Sequence, residues 1–71
     1  MKTVSEHNGF RVGDLVRMCG SPVVYRVEQI QVTDATPEGW ASFLPVRRDG
    51  ERDRRRTPFS GALRNVEKAN Q

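Results

Sequence analysis

An all-β domain, a small barrel of about five short strands, is the fold class predicted by this chain of 71 residues. Three observations carry it. β-Branched and aromatic residues gather in short runs between Gly, Pro, Asp and Asn, and no segment keeps a helical period. The longest run slips by one residue in its apolar phase, as a strand does when a bulge bends it from one sheet to another. A hydrophobic fraction of 35% beside a charged fraction of 30% leaves a chain near the lower size limit little apolar surface to bury. That favours closing a sheet on itself over covering its edges with helices.

The elements follow from the N-terminus. Residues 1–8 are polar and read as a flexible tail without the apolar stretch of a signal peptide. The barrel is expected over residues 9–67, with 68–71 as a C-terminal tail. Phe10-Arg11-Val12 begins the first strand, Gly13-Asp14 bends it, and Leu15-Val16-Arg17-Met18 resumes it. Cys19-Gly20-Ser21-Pro22 is a turn. Val23 to Thr33 is the longest β run, and its apolar set is Tyr25 and Val27, then Ile30 and Val32. The shift places a bulge or sharp bend near Glu28-Gln29.

Thr33 to Gly39 is a loop. Trp40 to Arg48 is a third strand, with Trp40, Leu44 and Val46 expected inward and Ala41, Phe43 and Pro45 outward. Pro45 cannot donate to a ladder, so the strand is edge-like or bulged there. Asp49-Gly50 signals a two-residue hairpin, in which both central residues need positive φ. The return strand is expected through Glu51 to Phe59, a one-turn connection at Ser60-Gly61-Ala62, and a closing strand at Leu63 to Val66. The core expected from this reading is Val12, Val16, Met18, Tyr25, Val27, Ile30, Val32, Trp40, Leu44, Val46, Leu63 and Val66. A bent second strand and a one-turn connector before the last strand describe an SH3-like barrel.

The residues Phe10-x-Val12-Gly13-Asp14-Leu15-Val16-Arg17, Gly20-Ser21-Pro22, Val27-x-x-Ile30, Gly39-Trp40 and Leu63-Arg64-Asn65-Val66 resemble, in order and spacing, those of small uncharacterised YodC-like proteins of bacteria and phages. That resemblance spans Phe10 to Val66; it implies an SH3-like fold and carries no established activity. Thr36-Pro37-Glu38-Gly39-Trp40-Ala41 and Gly13-Asp14-x-Val16-Arg17 are also similar to plasmid-borne type II dihydrofolate reductases, SH3-like barrels that form tetramers around a shared pore. Their chemistry rests on a Val-Gln-Ile-Tyr segment before a Pro and a Lys after the Gly-Asp strand. Here Arg54-Arg55-Arg56-Thr57 precedes Pro58, and Met18-Cys19-Gly20 follows the strand. The resemblance therefore carries the architecture and not the reductase activity.

Charge is concentrated in one place. Arg47 to Arg56 holds six arginines against Asp49, Glu51 and Asp53, a surplus of three that equals the +3 of the whole chain. Elsewhere six basic side chains balance six acidic ones. Arg47, Arg48, Arg52, Arg54, Arg55 and Arg56 are thus the candidate contacts for nucleic acid or another anionic partner, since the guanidinium fork suits phosphate oxygens and stacks on bases. The competing explanation is a solvated hairpin tip whose acids neutralise part of the charge, in a chain whose ten Arg against two Lys reflect a GC-rich genome. On a two-residue turn Arg47 falls opposite Arg52, which is unfavourable for like charges. Either the loop is longer, or the arginines are held for a partner. Arg17 and Arg26 are candidate supports.

Phe43 and Phe59 are candidate aromatic contacts, Phe43 as the best exposed ring and Phe59 opposite Trp40 or Ala41; core packing is the commoner role for such rings. Asp14 reads as a turn residue accepting backbone hydrogen bonds. His7 stands without a second metal-ligating neighbour, and Cys19, the single cysteine, excludes an intrachain disulfide and reads as a small, partly buried thiol. No catalytic, cofactor or metal motif is evident. The expectation is a non-enzymatic, cytosolic binding module without a membrane segment, taking DNA or RNA with low specificity. The alternative is a protein-interaction or self-association module facing an acidic partner or a second copy.

Overall fold

In the computed structural model, residues 2–47 and 49–69 are described. They form eight strands and one 3₁₀ turn: β1 (Lys2–Val4), β2 (Glu6–His7), β3 (Phe10–Arg11), β4 (Leu15–Met18), β5 (Val24–Val32), β6 (Trp40–Pro45), β7 (Phe59–Ala62), the turn Leu63–Asn65, and β8 (Val66–Lys68). The fold is all-β. The main sheet runs β7-β6-β5-β4-β8, with β1 added to β5 and every neighbouring pair antiparallel. This order, with a single 3₁₀ turn before the last strand, is that expected of the SH3-like arrangement. No ladder joins β7 to β8 among the described residues, so the hydrogen-bonded sheet itself is open there.

The expected bulge is present and organises the sheet. Val27 pairs with Phe43, but Gln29 pairs with Ser42, so β5 carries one extra residue, Glu28. Val27 and Ile30 consequently both point inward, each at 0% exposure, although three positions apart. Before the bulge the far edge of β5 holds β4, from Leu15↔Arg26 to Arg17↔Val24; after it the same edge holds β1, from Val4↔Ile30 to Lys2↔Val32.

The N-terminal residues are therefore not a tail. Residues 2–7 supply β1 and β2, and β2 pairs with β3 through Glu6↔Arg11 and His7↔Phe10. The hairpin also clamps the loop before β6: the His7 imidazole Nε2 lies 2.8 Å from the Pro37 carbonyl, and Asn8 donates to the Glu38 carbonyl at 3.0 Å. Polar composition concealed this segment because its contribution is backbone pairing, with only Val4 packing on the core. At the other end β8 includes Lys68, and the Ala69 amide donates to Leu15 O at 2.9 Å, so the strand and its pairing run past residue 67.

The core is Val16, Val27, Ile30, Ala41, Phe43, Leu63 and Val66, with Val4, Phe10, Met18, Tyr25 and Phe59 packed against it. Two expected members are at the surface, Val12 and Trp40, and Leu44 and Val32 are half-buried. The third strand shows its opposite face to the core: Ala41, Phe43 and Pro45 are buried. A strand apolar on both faces has no alternation to fix its orientation. Pairing decides it, since Phe43 and Ala41 fall opposite Val27 and Ile30. Val46, beyond Pro45, is buried as expected.

The last strands also lie later in the chain than their patterning suggested. Residues 60–62, expected as a connection, belong to β7, and the residues expected as the closing strand begin with the 3₁₀ turn Leu63–Asn65. The displacement follows from β6–β7 pairing, Phe43↔Phe59 through Trp40↔Ala62, which carries the ladder to the start of β6.

Leu63 seats this corner. Its amide donates to the Gly39 carbonyl at 3.0 Å, and its side chain is 1% exposed. Gly39 has φ +100°, and a Cβ there would meet Leu63 Cδ1 at 2.8 Å and His7 Cδ2 at 3.0 Å. Gly39→Ala combines left-handed backbone strain with overpacking and is expected to lower stability by about 1–3 kcal/mol, measured as a lower urea midpoint. An unchanged midpoint would show that the corner relaxes freely.

Candidate anionic-ligand interface

The arginine-rich segment leaves β6 at Pro45 and folds as two consecutive turns. In the first, the Gly50 amide donates to Arg47 O at 2.9 Å and the Arg47 amide to Glu51 O at 2.7 Å. These bonds close the loop between Arg47 and Glu51, one residue longer than the two-residue turn expected. Gly50 has φ +88°, the left-handed backbone that the Asp-Gly signal asks of its glycine. Val46 rather than Arg47 faces Arg52, which removes the like-charge opposition. Candidate contact Arg48 lies outside the described residues.

Asp49 holds the tip together. Its Oδ1 accepts the Glu51 amide at 2.9 Å and its Oδ2 accepts Arg47 Nη2 at 3.0 Å. The Glu51 amide first, and then the Arg47 guanidinium, keep the Asp49 carboxyl below the usual aspartate range.

Asp53 builds the second turn. Its amide donates to Pro45 O at 2.9 Å, the last backbone tie to β6 before β7 begins. Its carboxylate Oδ1 accepts the Arg55 amide at 3.0 Å, and the Arg56 amide donates to Asp53 O at 3.2 Å. An aspartate that captures an amide two residues on competes with a ladder for the same donor. The expected return strand from Glu51 is for this reason a single bridge, Val46↔Arg52, followed by a turn, and β7 starts only at Phe59.

The charges outside the segment are matched largely by contact. Arg11 pairs with Glu6 at 3.1 Å, Arg17 with Glu67 at 3.9 Å, Arg26 with Glu28 at 3.1 Å, Arg64 with Glu38 at 3.6 Å and Lys68 with Asp14 at 3.1 Å. Arg26 is thus held by its own acid, whereas Arg17 only approaches Glu67 and its buried Nε makes no hydrogen bond. Such exposed pairs contribute about 0–1 kcal/mol each to stability, but they cancel the field of the rest of the surface. Inside the segment Arg47 pairs with Asp49, and Arg56 and Arg55 approach Asp53 at 3.5 and 4.0 Å. Among the described residues Arg52 and Arg54 make no ion pair. All five described arginines of the segment are exposed, with the Arg55 side chain at 91%.

The aromatic candidates have another place. Phe43 is 1% exposed and is a centre of the core, contrary to its expected exposure. Phe59 is half-buried opposite Phe43, not Trp40 or Ala41; its ring lies 4.9 Å from Phe43 and 4.8 Å, edge-on, from Tyr25. Among the described residues the large apolar side chains that reach solvent are Trp40 and Val12, both expected in the core.

Asp14 acts as expected, its Oδ2 accepting the Arg11 amide at 3.0 Å. Cys19 is a free thiol in the turn after β4, exposed rather than partly buried. No group of three or more His, Cys, Asp or Glu is placed to hold a metal ion among the described residues, and no helix of the described residues is long and apolar enough to cross a membrane. Comparison with protein-family models, with curated proteins and with solved structures finds no match for this chain.

Proposed function

We propose that this protein binds nucleic acid with low sequence specificity, through phosphate contacts made by Arg47, Arg52, Arg54, Arg55 and Arg56. One observation carries the reading: the charges elsewhere are matched largely by contact, while the double turn gathers five exposed guanidinium groups around three acids and leaves Arg52 and Arg54 without an ion pair among the described residues. Arginines on turns, with their backbone anchored by Asp49 and Asp53, reach phosphates without rearranging the sheet. Exposed guanidinium groups on turns suit phosphate oxygens, so backbone contact is the expected main source of affinity.

The test is fluorescence anisotropy with a short labelled oligonucleotide across a salt series. Three to five phosphate contacts give a slope of log K against log salt of roughly −2 to −5. Binding that persists undiminished at high salt, or no binding at low salt, would remove this reading. An acidic protein partner would instead leave oligonucleotides unbound while the same arginines remain essential for the protein complex.

A further inference from the structure

Between the turn ahead of β5 and the arginine double turn lies an open groove of about 310 Å³, lined by Pro22, Val23, Val24, Val46, Arg47, Asp53 and Arg56. Its volume is at the lower end of the range for small-molecule sites. Its floor is the end of the β5–β6 ladder, where the Val46 amide donates to Val24 O at 3.0 Å. Val46 is 6% exposed, so the floor is firm. Along one wall stand Pro22 and Val23, apolar and without charge. Across from them, Arg47 and Arg56 form the rim, their side chains about half exposed and each held by an acid, Asp49 at 3.0 Å and Asp53 at 3.5 Å.

We infer that this groove seats an unstacked nucleobase, and that the preferred ligand is therefore single-stranded nucleic acid. The inference rests on the nucleic-acid reading above and deepens it. The occupant follows from the distribution of charge. The Asp53 carboxylate, with its side chain 15% exposed, lines the groove and opposes a phosphate there. Arg52, Arg54 and the largely free Arg55 do not line it and stand outside, on the same double turn. A flat, uncharged ring against Val24 and Val46, with a planar guanidinium at its edge or face, satisfies the interior. The flanking phosphates then fall to the outer arginines. A duplex keeps its bases stacked and cannot enter a groove of this size, so it gains only the phosphate contacts.

The experiment compares a single-stranded DNA of about twelve nucleotides with its own G·C-rich duplex, long enough to stay paired at low salt, by anisotropy and by amide chemical shifts. The single strand is expected to bind at least about five-fold more tightly, with shifts at Val23, Val24 and Val46 as well as in residues 52–56. Val24→Thr keeps the β-branched shape and strand propensity but makes the floor polar. It should reduce single-strand affinity about three-fold or more and leave the duplex unaffected, with an unchanged melting temperature showing the fold intact. Equal affinity for both forms, with shifts confined to residues 52–56, would overturn the base-seating groove and leave the phosphate reading standing. No binding of either form would overturn both.

Discussion

Replacing Arg52, Arg54 and Arg55 together by Gln is expected to weaken oligonucleotide binding on the order of 100-fold at 0.1 M salt, and to flatten the salt slope by about two to three. These three arginines combine high exposure with the fewest internal partners; Arg55 approaches Asp53 only at 4.0 Å. Removing them takes the net charge from +3 to zero. The fold should be unaffected, because none of the three side chains is buried and the turn bonds run through the backbone and through Asp49 and Asp53. Circular dichroism melts of the variant should superpose on those of the parent. Arg47 and Arg56 are less suitable for this purpose, since each also neutralises an aspartate, and its loss would leave that acid facing the ligand. If the triple variant binds as tightly as the parent, the double turn is a solvated tip and nothing more.

Phe43→Ala is expected to cost about 3–5 kcal/mol, the largest single-residue effect on stability in the chain. Phe43 is the largest of the fully buried side chains, and it anchors a row of rings through Phe59 to Tyr25. Native domains are stable by about 5–15 kcal/mol, and one this small lies toward the lower end. The substitution should therefore lower the melting temperature by about 15–30 °C or leave the chain largely unfolded at room temperature. Trp40→Ala provides the contrast: its ring lies on the outer face and is 41% exposed, so its loss should cost far less. A Phe43→Ala protein that melts like the parent would return this ring to the surface role its place in the sequence suggested.

These two variants mark where sequence reading succeeded and where it failed. Local chemistry was legible. The phase slip between Val27 and Ile30 located the bulge near Glu28-Gln29, Gly13-Asp14 and Cys19-Gly20 marked turns, and the acid and base counts anticipated a surface neutral outside Arg47–Arg56. Each of these depends on neighbours within a few positions. The face of β6 was not legible, because six residues of mixed apolar character satisfy either orientation until β5 supplies partners. The polar N-terminus was misjudged for a related reason, since backbone pairing of Lys2–Val4 with Ile30–Val32 leaves almost no trace in side-chain type.

The candidate site divides in the same way. Its charge, its arginines and the presence of a turn were written in the residues from 47 to 56. Sequence by itself determined an all-β chain with a bent central strand and a single cationic element, because propensity, turn chemistry and charge are properties of short segments. Tertiary structure alone decided that the segment makes two turns instead of a ribbon, that Phe43 lies inside and Trp40 outside, and that Arg47 and Arg56 share a groove with Pro22, Val23, Val24 and Val46. Those outcomes hang on which strand edge meets which. Asp53 reaches the Pro45 carbonyl through its amide while its carboxylate holds the Arg55 amide out of any ladder, and Val24 meets Val46 only because β5 and β6 pair.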